Sequence, residues 1–252
     1  GIQRVVRSIA RSLLDDPPAG WHIVPVGATR KRAYTRIGWP KVLGKAGVAP
    51  LGARPGDVFL GLDFSLDTVY RHRRQLRDLS TRGMRLWFVM YDLLPAERPD
   101  WFTPSLTMRY HRWMRTIAAV ADGVLCISPD VAGKFREHLR QRYRVAAADM
   151  PDVRTQSMGW DVQHAPSTRG VSEALTELEG LLPGRKPILM VGTLEPRKGH
   201  ADALDAFEML DLQNPDAYAL VIVGKPGWNT APLQRRLKSH PRLHRSIFWL
   251  DQ

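Results

Sequence analysis

An apolar run over residues 188–191 opens into Gly192-Thr-Leu-Glu-Pro-Arg-Lys-Gly199, and a helical pattern resumes from His200 or Ala201. This spacing predicts a buried strand, a short loop carrying Glu195 with the adjacent cations Arg197 and Lys198, and a helix start. Helix-start amides and two cations at a strand's carboxyl end can together neutralise a diphosphate. A second turn of the same kind follows residues 220–223, running Gly224-Lys-Pro-Gly-Trp228. Lys225 adds positive charge there, and Trp228 could stack on a base or sugar or cap the core. In the first half the comparable place follows residues 86–90, where Tyr91 and Asp92 sit at a strand's end. Asp92 could accept a hydrogen bond from a hydroxyl, assist proton transfer, or cap the following turn.

Several other chemistries lack their residues. The sequence holds no Gly-x-x-x-x-Gly-Lys-Ser/Thr phosphate loop, no Gly-x-Gly-x-x-Gly fingerprint, no Gly-x-Ser-x-Gly elbow and no His-Glu-x-x-His helix. His240 and His244 have the spacing of metal ligands on a helix, but Pro241 lies between them and no third ligand is evident, so they read as surface histidines. No Asp-x-Asp triplet occurs either, so an anion here is held by cations and amides. Neither a metal nor a cofactor is expected.

The elements that must position these residues are legible from periodicity. Short apolar runs at residues 22–26, 58–63, 86–92, 124–128, 188–192, 220–224 and 247–250 read as buried strands. Helical spacing links Ile2, Val5, Val6, Ile9 and Leu13, then Val69, Leu76 and Leu79, then Trp113, Ile117 and Val120, then Val131, Phe135 and Leu139. It returns in Ala203, Leu204, Phe207 and Leu210. Alternating strands and helices predict an α/β protein with parallel sheets. The rhythm breaks over residues 146–185, where only residues 171–182 look helical. A domain boundary is therefore expected there, giving domains 1–165 and 166–252.

The 252 residues carry a formal charge of +12. Residues 1–170 hold 27 Lys and Arg against 15 Asp and Glu, whereas residues 171–252 hold ten of each. The surplus thus belongs to the first domain and is mostly arginine, which suits bidentate phosphate contacts. The alternative is that arginine replaces lysine on ordinary solvated helix faces. The single cysteine, Cys126, cannot form an intrachain disulfide, so a reducing compartment is expected. No apolar run approaches the roughly 20 residues of a membrane span, and no leader pattern opens the chain. Both ends are expected to be cut, because Gly1 enters a helical pattern with no strand before it and residues 247–250 form a strand with nothing after it. The second domain then holds only three strands.

These motifs make the chain similar to the retaining glycosyltransferases of family 4 (GT4). The resemblance rests on Gly192-Thr-Leu-Glu-Pro-Arg-Lys-Gly199, Ile222-Val-Gly-Lys-Pro-Gly-Trp228, Tyr91-Asp-Leu-Leu-Pro95 with Pro99-Asp-Trp-Phe102, Cys126-Ile-Ser-Pro129 and the opening Gly1-Ile-Gln-Arg-Val-Val. It implies a GT-B fold of two Rossmann-like doubly wound parallel-sheet domains, the second incomplete. It also implies transfer of a hexosyl unit, mannosyl-like, from a nucleotide-diphosphate sugar to a polysaccharide or lipid-linked acceptor such as a lipopolysaccharide precursor, with retention and without metal. Arg197 and Lys198 would bind the donor diphosphate and stabilise the leaving group. Gly1, Gly192, Thr193, Glu195, Gly224, Lys225 and Trp228 would complete the donor site, with Tyr91 and Asp92 on the acceptor side. GDP-mannose is the expected donor by likeness to the Thr-Leu-Glu-Pro-Arg-Lys variant.

Three departures limit the likeness. Thr193 stands where many members have arginine, although a Thr-Leu/Ile-Glu-Pro-Arg-Lys variant is familiar among mannosyl- and rhamnosyl-type enzymes. Tyr91 stands where many members have histidine, and the acidic Glu-x7-Glu donor motif is missing, so these 252 residues are expected to bind donor weakly and not to turn over. The location implied is cytoplasmic, peripheral on the inner face of the plasma membrane, where the basic first domain would meet anionic lipid. The rival reading is a basic module for nucleic acid or an anionic surface, but no recognition helix, aromatic strand pair or basic arm is clear, which disfavours nucleic acid.

Overall fold

The computed structural model describes residues 2–38, 51–159, 177, 178, 180, 182 and 184–251. The chain divides into two compact units, Gly1–Glu97 with Ser105–Gly159, and Arg98–Pro104 with Trp160–Gln252. The expected boundary at 165/166 lies outside the described residues. The transfer of Arg98–Pro104 to the second unit was not anticipated by any sequence signal.

The first unit opens with helix α1 (Ile2–Asp15), followed by a two-stranded antiparallel hairpin of β1 (Val26–Gly27) and β2 (Thr35–Arg36). Its main sheet is parallel, in the order β3 (Val58–Gly61), β4 (Arg85–Met90), β5 (Gly123–Cys126) and β6 (Asp152–Thr155). The connections carry α2 (Leu66–Arg71), α3 (Arg73–Thr81), α4 (Leu94–Glu97), α5 (Pro104–Val120) and α6 (Pro129–Tyr143). Leu86, Phe88 and Met90 alternate along one face of β4 and bury against Leu76 and Leu79 of α3, Tyr110 and Trp113 of α5, and Phe135 of α6. The start of α6 follows from its sequence: Ser128 Oγ accepts the Val131 amide at 3.2 Å, and Pro129 takes the first helical position, where its missing N–H costs nothing. Asp67 ties three segments together, accepting Arg30 Nη2 at 2.5 Å and Arg109 Nε and Nη2 at 2.7 and 2.9 Å.

The second unit has a parallel sheet in the order β7 (Lys186–Val191), β8 (Tyr218–Val223) and β9 (Ile247–Leu250), three strands among the described residues. Helices α7 (His200–Gln213) and α8 (Ala231–Lys238) provide the crossovers. Both faces of β8 are covered. Leu220 and Ile222 pack on Leu204 and Phe207 of α7 and Leu237 of α8, while Ala219 and Val221 pack on Leu178 and Phe248. This two-sided burial is the layering of a Rossmann-like parallel sheet.

Some strand expectations need correction. Of residues 22–26 only Val26 joins a strand, because this segment leads into a two-residue, half-buried hairpin arm rather than into a covered sheet. The run at 188–192 does form β7, but it is not buried: Leu189 is 62% exposed and Val191 72%. Met190 packs with Leu204 and Phe207 on one face of the strand, whereas Leu189 and Val191, on the opposite face, join neither core cluster among the described residues. Strand β6 falls in the stretch read as irregular, because only Val153 among its four residues is buried. The segment 69–79 is broken into α2 and α3 at His72. Cys126 is buried, and burial pushes its thiol up to about 11.

Candidate functional site

The loops leaving β7 and β8 form one interlocked structure. Gly192 N donates to Val223 O at 2.9 Å, and Leu194 N donates to Lys225 O at 3.0 Å, extending the strand pairing into the loops. Two glycines permit this approach. A β-carbon on Gly224 would overlap the carbonyl of Gly192, and one on Gly227 would overlap the carbonyl of Leu194. Leu194 anchors the pair in the core with no exposed surface. Trp249 of β9 closes the back, its indole N–H donating to Gly224 O at 2.9 Å.

Beyond Leu194 the chain tightens into a 3₁₀ turn over Pro196–Lys198, stopped by Gly199 at φ +67°. From there α7 begins without a side-chain cap, so its first-turn amides keep their donor capacity. Glu195 is buried and pairs with Arg197, Nε to Oε2 at 2.7 Å. This contact fixes the guanidinium while its side chain remains 31% exposed. Lys198 is exposed and has no ion pair among the described residues. Two cations, one of them paired with Glu195, and an uncapped helix start therefore gather at the carboxyl end of β7, donors that can meet an anion.

Trp228 is held differently from Lys198. Its indole N–H donates to Trp101 O at 2.7 Å, and its ring packs at 6.2 Å from that of Phe102. Both partners belong to the Arg98–Pro104 strap within the second unit. The Arg98 guanidinium lies 3.9 Å from the Trp101 ring centroid and pairs with Asp100 at 2.8 Å. In the sequence, Pro99-Asp-Trp-Phe102 contributes only to the family resemblance, and no local signal assigns these residues a role.

Asp92 and Tyr91 lie in the first unit. Asp92 Oδ1 accepts the Leu94 amide at 3.1 Å, capping the turn into α4, and its backbone carbonyl accepts the Tyr110 hydroxyl at 2.9 Å. Tyr91 is buried and donates to Leu62 O at 2.8 Å, and burial together with Asp63 pushes its phenol up to about 12. Thus Gly192, Thr193, Glu195, Arg197, Lys198, Gly224, Lys225 and Trp228 share the two interlocked loops, Tyr91 and Asp92 share a strand end of the other unit, and Gly1 lies outside the described residues.

A residue that sequence reading passed over is His200, the first of α7. It is 2% exposed, and neither ring nitrogen has a hydrogen-bond partner among the described residues. Burial and the nearby Lys198 hold its imidazole below the usual histidine range. Only its place directly after Gly199 could have drawn notice. Among the described residues, no group of three His, Cys, Asp or Glu side chains gathers to hold a metal, and no helix is long and apolar enough to cross a membrane.

No protein-family model matches the chain. Over its full length it is 31% identical to a serotype-specific mannosyltransferase, WbdA, of Escherichia coli, and 30% identical to another WbdA from that species. The chain spans about a third of the length of these relatives, 31% in each case. Among solved structures, an α,α-trehalose 6-phosphate synthase of Burkholderia multivorans superposes with a TM-score of 0.50 at 17% identity, covering 79% of this chain and 46% of that one. The fold is accordingly α/β with parallel sheets, part of the GT-B architecture.

Proposed function

We infer that the chain is part of a glycosyltransferase that moves a mannosyl-like hexosyl unit from a nucleotide-diphosphate sugar to a polysaccharide or lipid-linked acceptor. One observation carries the reading: Arg197 and Lys198, which has no ion pair among the described residues, stand on a 3₁₀ turn directly before the uncapped start of α7. The full-length similarity to mannosyltransferases supports the sugar class.

The chemistry is leaving-group stabilisation. As the bond between the anomeric carbon and the β-phosphate oxygen breaks, its electron pair passes to the phosphate. Lys198, Arg197 and the α7 amides meet the charge that develops there, which preorganised donors do better than water. The acceptor hydroxyl forms the new bond on the same face and passes its proton to the departing phosphate oxygen, giving retention. Such a site requires no metal, because cations and amides supply the positive field. GDP-mannose is the proposed donor. The arginine-rich first 170 residues would dock to anionic phospholipid or a lipid-pyrophosphate acceptor on the inner face of the plasma membrane.

A donor screen tests this. Calorimetry with GDP-mannose and UDP-sugars on the whole glycosyltransferase of which this chain is part, followed by product mass spectrometry with a mannoside acceptor, should give binding and transfer with GDP-mannose. No binding of any nucleotide sugar, together with tight salt-dependent binding of duplex nucleic acid, would overturn it.

A further inference from the structure

Because β3–β6 lie side by side in chain order, the crossovers α3, α5 and α6 cover one side of the sheet, with α5 in the middle. Met108, Arg112, Arg115 and Ala119 are all exposed and share one stripe along the outer face of α5. Met108 is 49% exposed, and α5 contains no Asp or Glu. Its neighbours widen the stripe. Arg112 and Arg73, the first residue of α3, lie 5.8 and 4.5 Å from the centroid of one tyrosine ring, Tyr70. On the α6 side, Arg115, Arg142 and Tyr143 line a groove of about 400 Å³ together with Ala118, Ala119 and Val145.

This surface lacks an acid. Arg109, toward the core side of α5, is paired with Asp67, whereas Arg112, Arg115 and Arg142 have no ion pair among the described residues. His111 Nδ1 lies 3.3 Å from the Tyr143 hydroxyl beside the groove, and the charges acting on both residues are those of Arg115 and Arg142, with no carboxylate among the described residues. Arg142 and Arg144 also outweigh the roughly half negative charge at the carboxyl end of α6. A guanidinium does not lose its proton, so the missing counter-charge has to come from another molecule.

The apolar residues select which anion. Met108 and the methyl groups of the groove gain by entering the acyl boundary of a bilayer while the guanidiniums stay at the phosphates. A nucleic-acid duplex would leave those side chains without an apolar partner. We propose that the outer face of α5, with the adjoining edge of α6, docks on a bilayer of anionic phospholipid through Arg112, Arg115, Arg142 and Met108. This assigns a surface to the membrane docking inferred above and rests on that reading, whereas donor binding in the second unit does not depend on it.

Co-sedimentation of the whole glycosyltransferase with vesicles of phosphatidylcholine, alone or mixed with phosphatidylglycerol, tests the surface. Binding should require phosphatidylglycerol and weaken with salt. Each cation near an anionic leaflet contributes about fivefold, so the Arg112→Ala, Arg115→Ala, Arg142→Ala triple variant should bind about a hundredfold more weakly. Lys186→Ala, Arg235→Ala and Arg245→Ala together remove the same charge from exposed positions of the second unit and should change binding less than about twofold. All six side chains are exposed, so both triple variants should melt with the unsubstituted protein. Met108→Ser alters no charge and should weaken vesicle binding about fivefold, to which a purely electrostatic contact would not respond. Equal binding to both kinds of vesicle, or equal loss in the two triple variants, overturns the surface. So does duplex RNA binding that the Arg112, Arg115 and Arg142 variant loses and Met108→Ser keeps, without vesicle binding. Calorimetry with GDP should be the same for all variants. If GDP binds and vesicles do not, the bilayer surface falls and the diphosphate reading stands.

Discussion

The indole N–H of Trp228 donates to the main-chain carbonyl of Trp101, 127 positions earlier in the chain, at 2.7 Å. This bond, with the adjacent Phe102 ring, makes the strap over Arg98–Pro104 a wall of the second unit. Trp228→Phe keeps the ring contact and removes the bond. The expected loss is about 1 kcal/mol of stability, read by urea denaturation, with faster proteolytic cleavage at the strap. Unchanged stability and cleavage would show that the ring contact alone holds it.

Gly224 and Gly133 predict opposite responses to the same substitution. Gly224→Ala forces a β-carbon into the carbonyl of Gly192, and neither loop backbone can move without breaking the Gly192–Val223 pairing. It should cost about 2–3 kcal/mol or more, as overpacking does, and lower nucleotide affinity. Gly133 lies inside α6 with open space around it. Gly133→Ala should stabilise by about 0.5–1 kcal/mol. Parallel melts of the two variants check both.

Arg197 and Lys198 are adjacent but differ in what their removal leaves behind. Arg197→Ala strands the buried Glu195 carboxylate, so stability and donor affinity should both fall. Lys198→Ala leaves no partner unpaired among the described residues and should lower affinity without changing the melting temperature. In the whole enzyme the double variant should lose several orders of magnitude in turnover, since single oxyanion donors are worth about 10²–10³. Calorimetry with GDP beside thermal melts separates the two effects.

Acid should destabilise the fold in two steps. His111, His138 and His200 are all held below the ordinary value of 6.5, chiefly by burial. The unfolded chain therefore binds their protons first, and stability declines as pH falls below that value. Asp67 has the reverse origin: Arg109 and Arg30 hold its carboxyl below the ordinary 3.8. Its contribution is complete above that pH and is lost as pH falls through the depressed folded value. Asp67→Asn should cost about 1 kcal/mol at pH 7 and progressively less in strong acid, a convergence that denaturant melts across pH would reveal.

What the sequence made legible was whatever is encoded locally. Residues 247–250 are β9, and the helical spacing of Val131, Phe135 and Leu139 lies on α6, because buried faces impose a period on nearby residues. The loop from Gly192 to Gly199 was legible as a strand end and helix start for the same reason. Strand β6 was hidden because edge positions leave Asp152 and Arg154 exposed, erasing the apolar run. The strap's docking and the burial of His200 depend on partners far along the chain or across a cleft, and no local pattern records them.

The strap also has a consequence for how the protein is made. Ribosomes deliver residues 98–104 long before Trp228, so the wall of the second unit emerges while the surface it completes has yet to be translated. Domains that fold as they emerge, first unit first, must here hold one short segment in reserve. Nor can a single cut in the gene separate the two units whole. A shortened product beginning after residue 159 would carry Trp228 without the Trp101 carbonyl and the Phe102 ring that it contacts, and any attempt to transplant the second unit must bring along seven codons from the middle of the first.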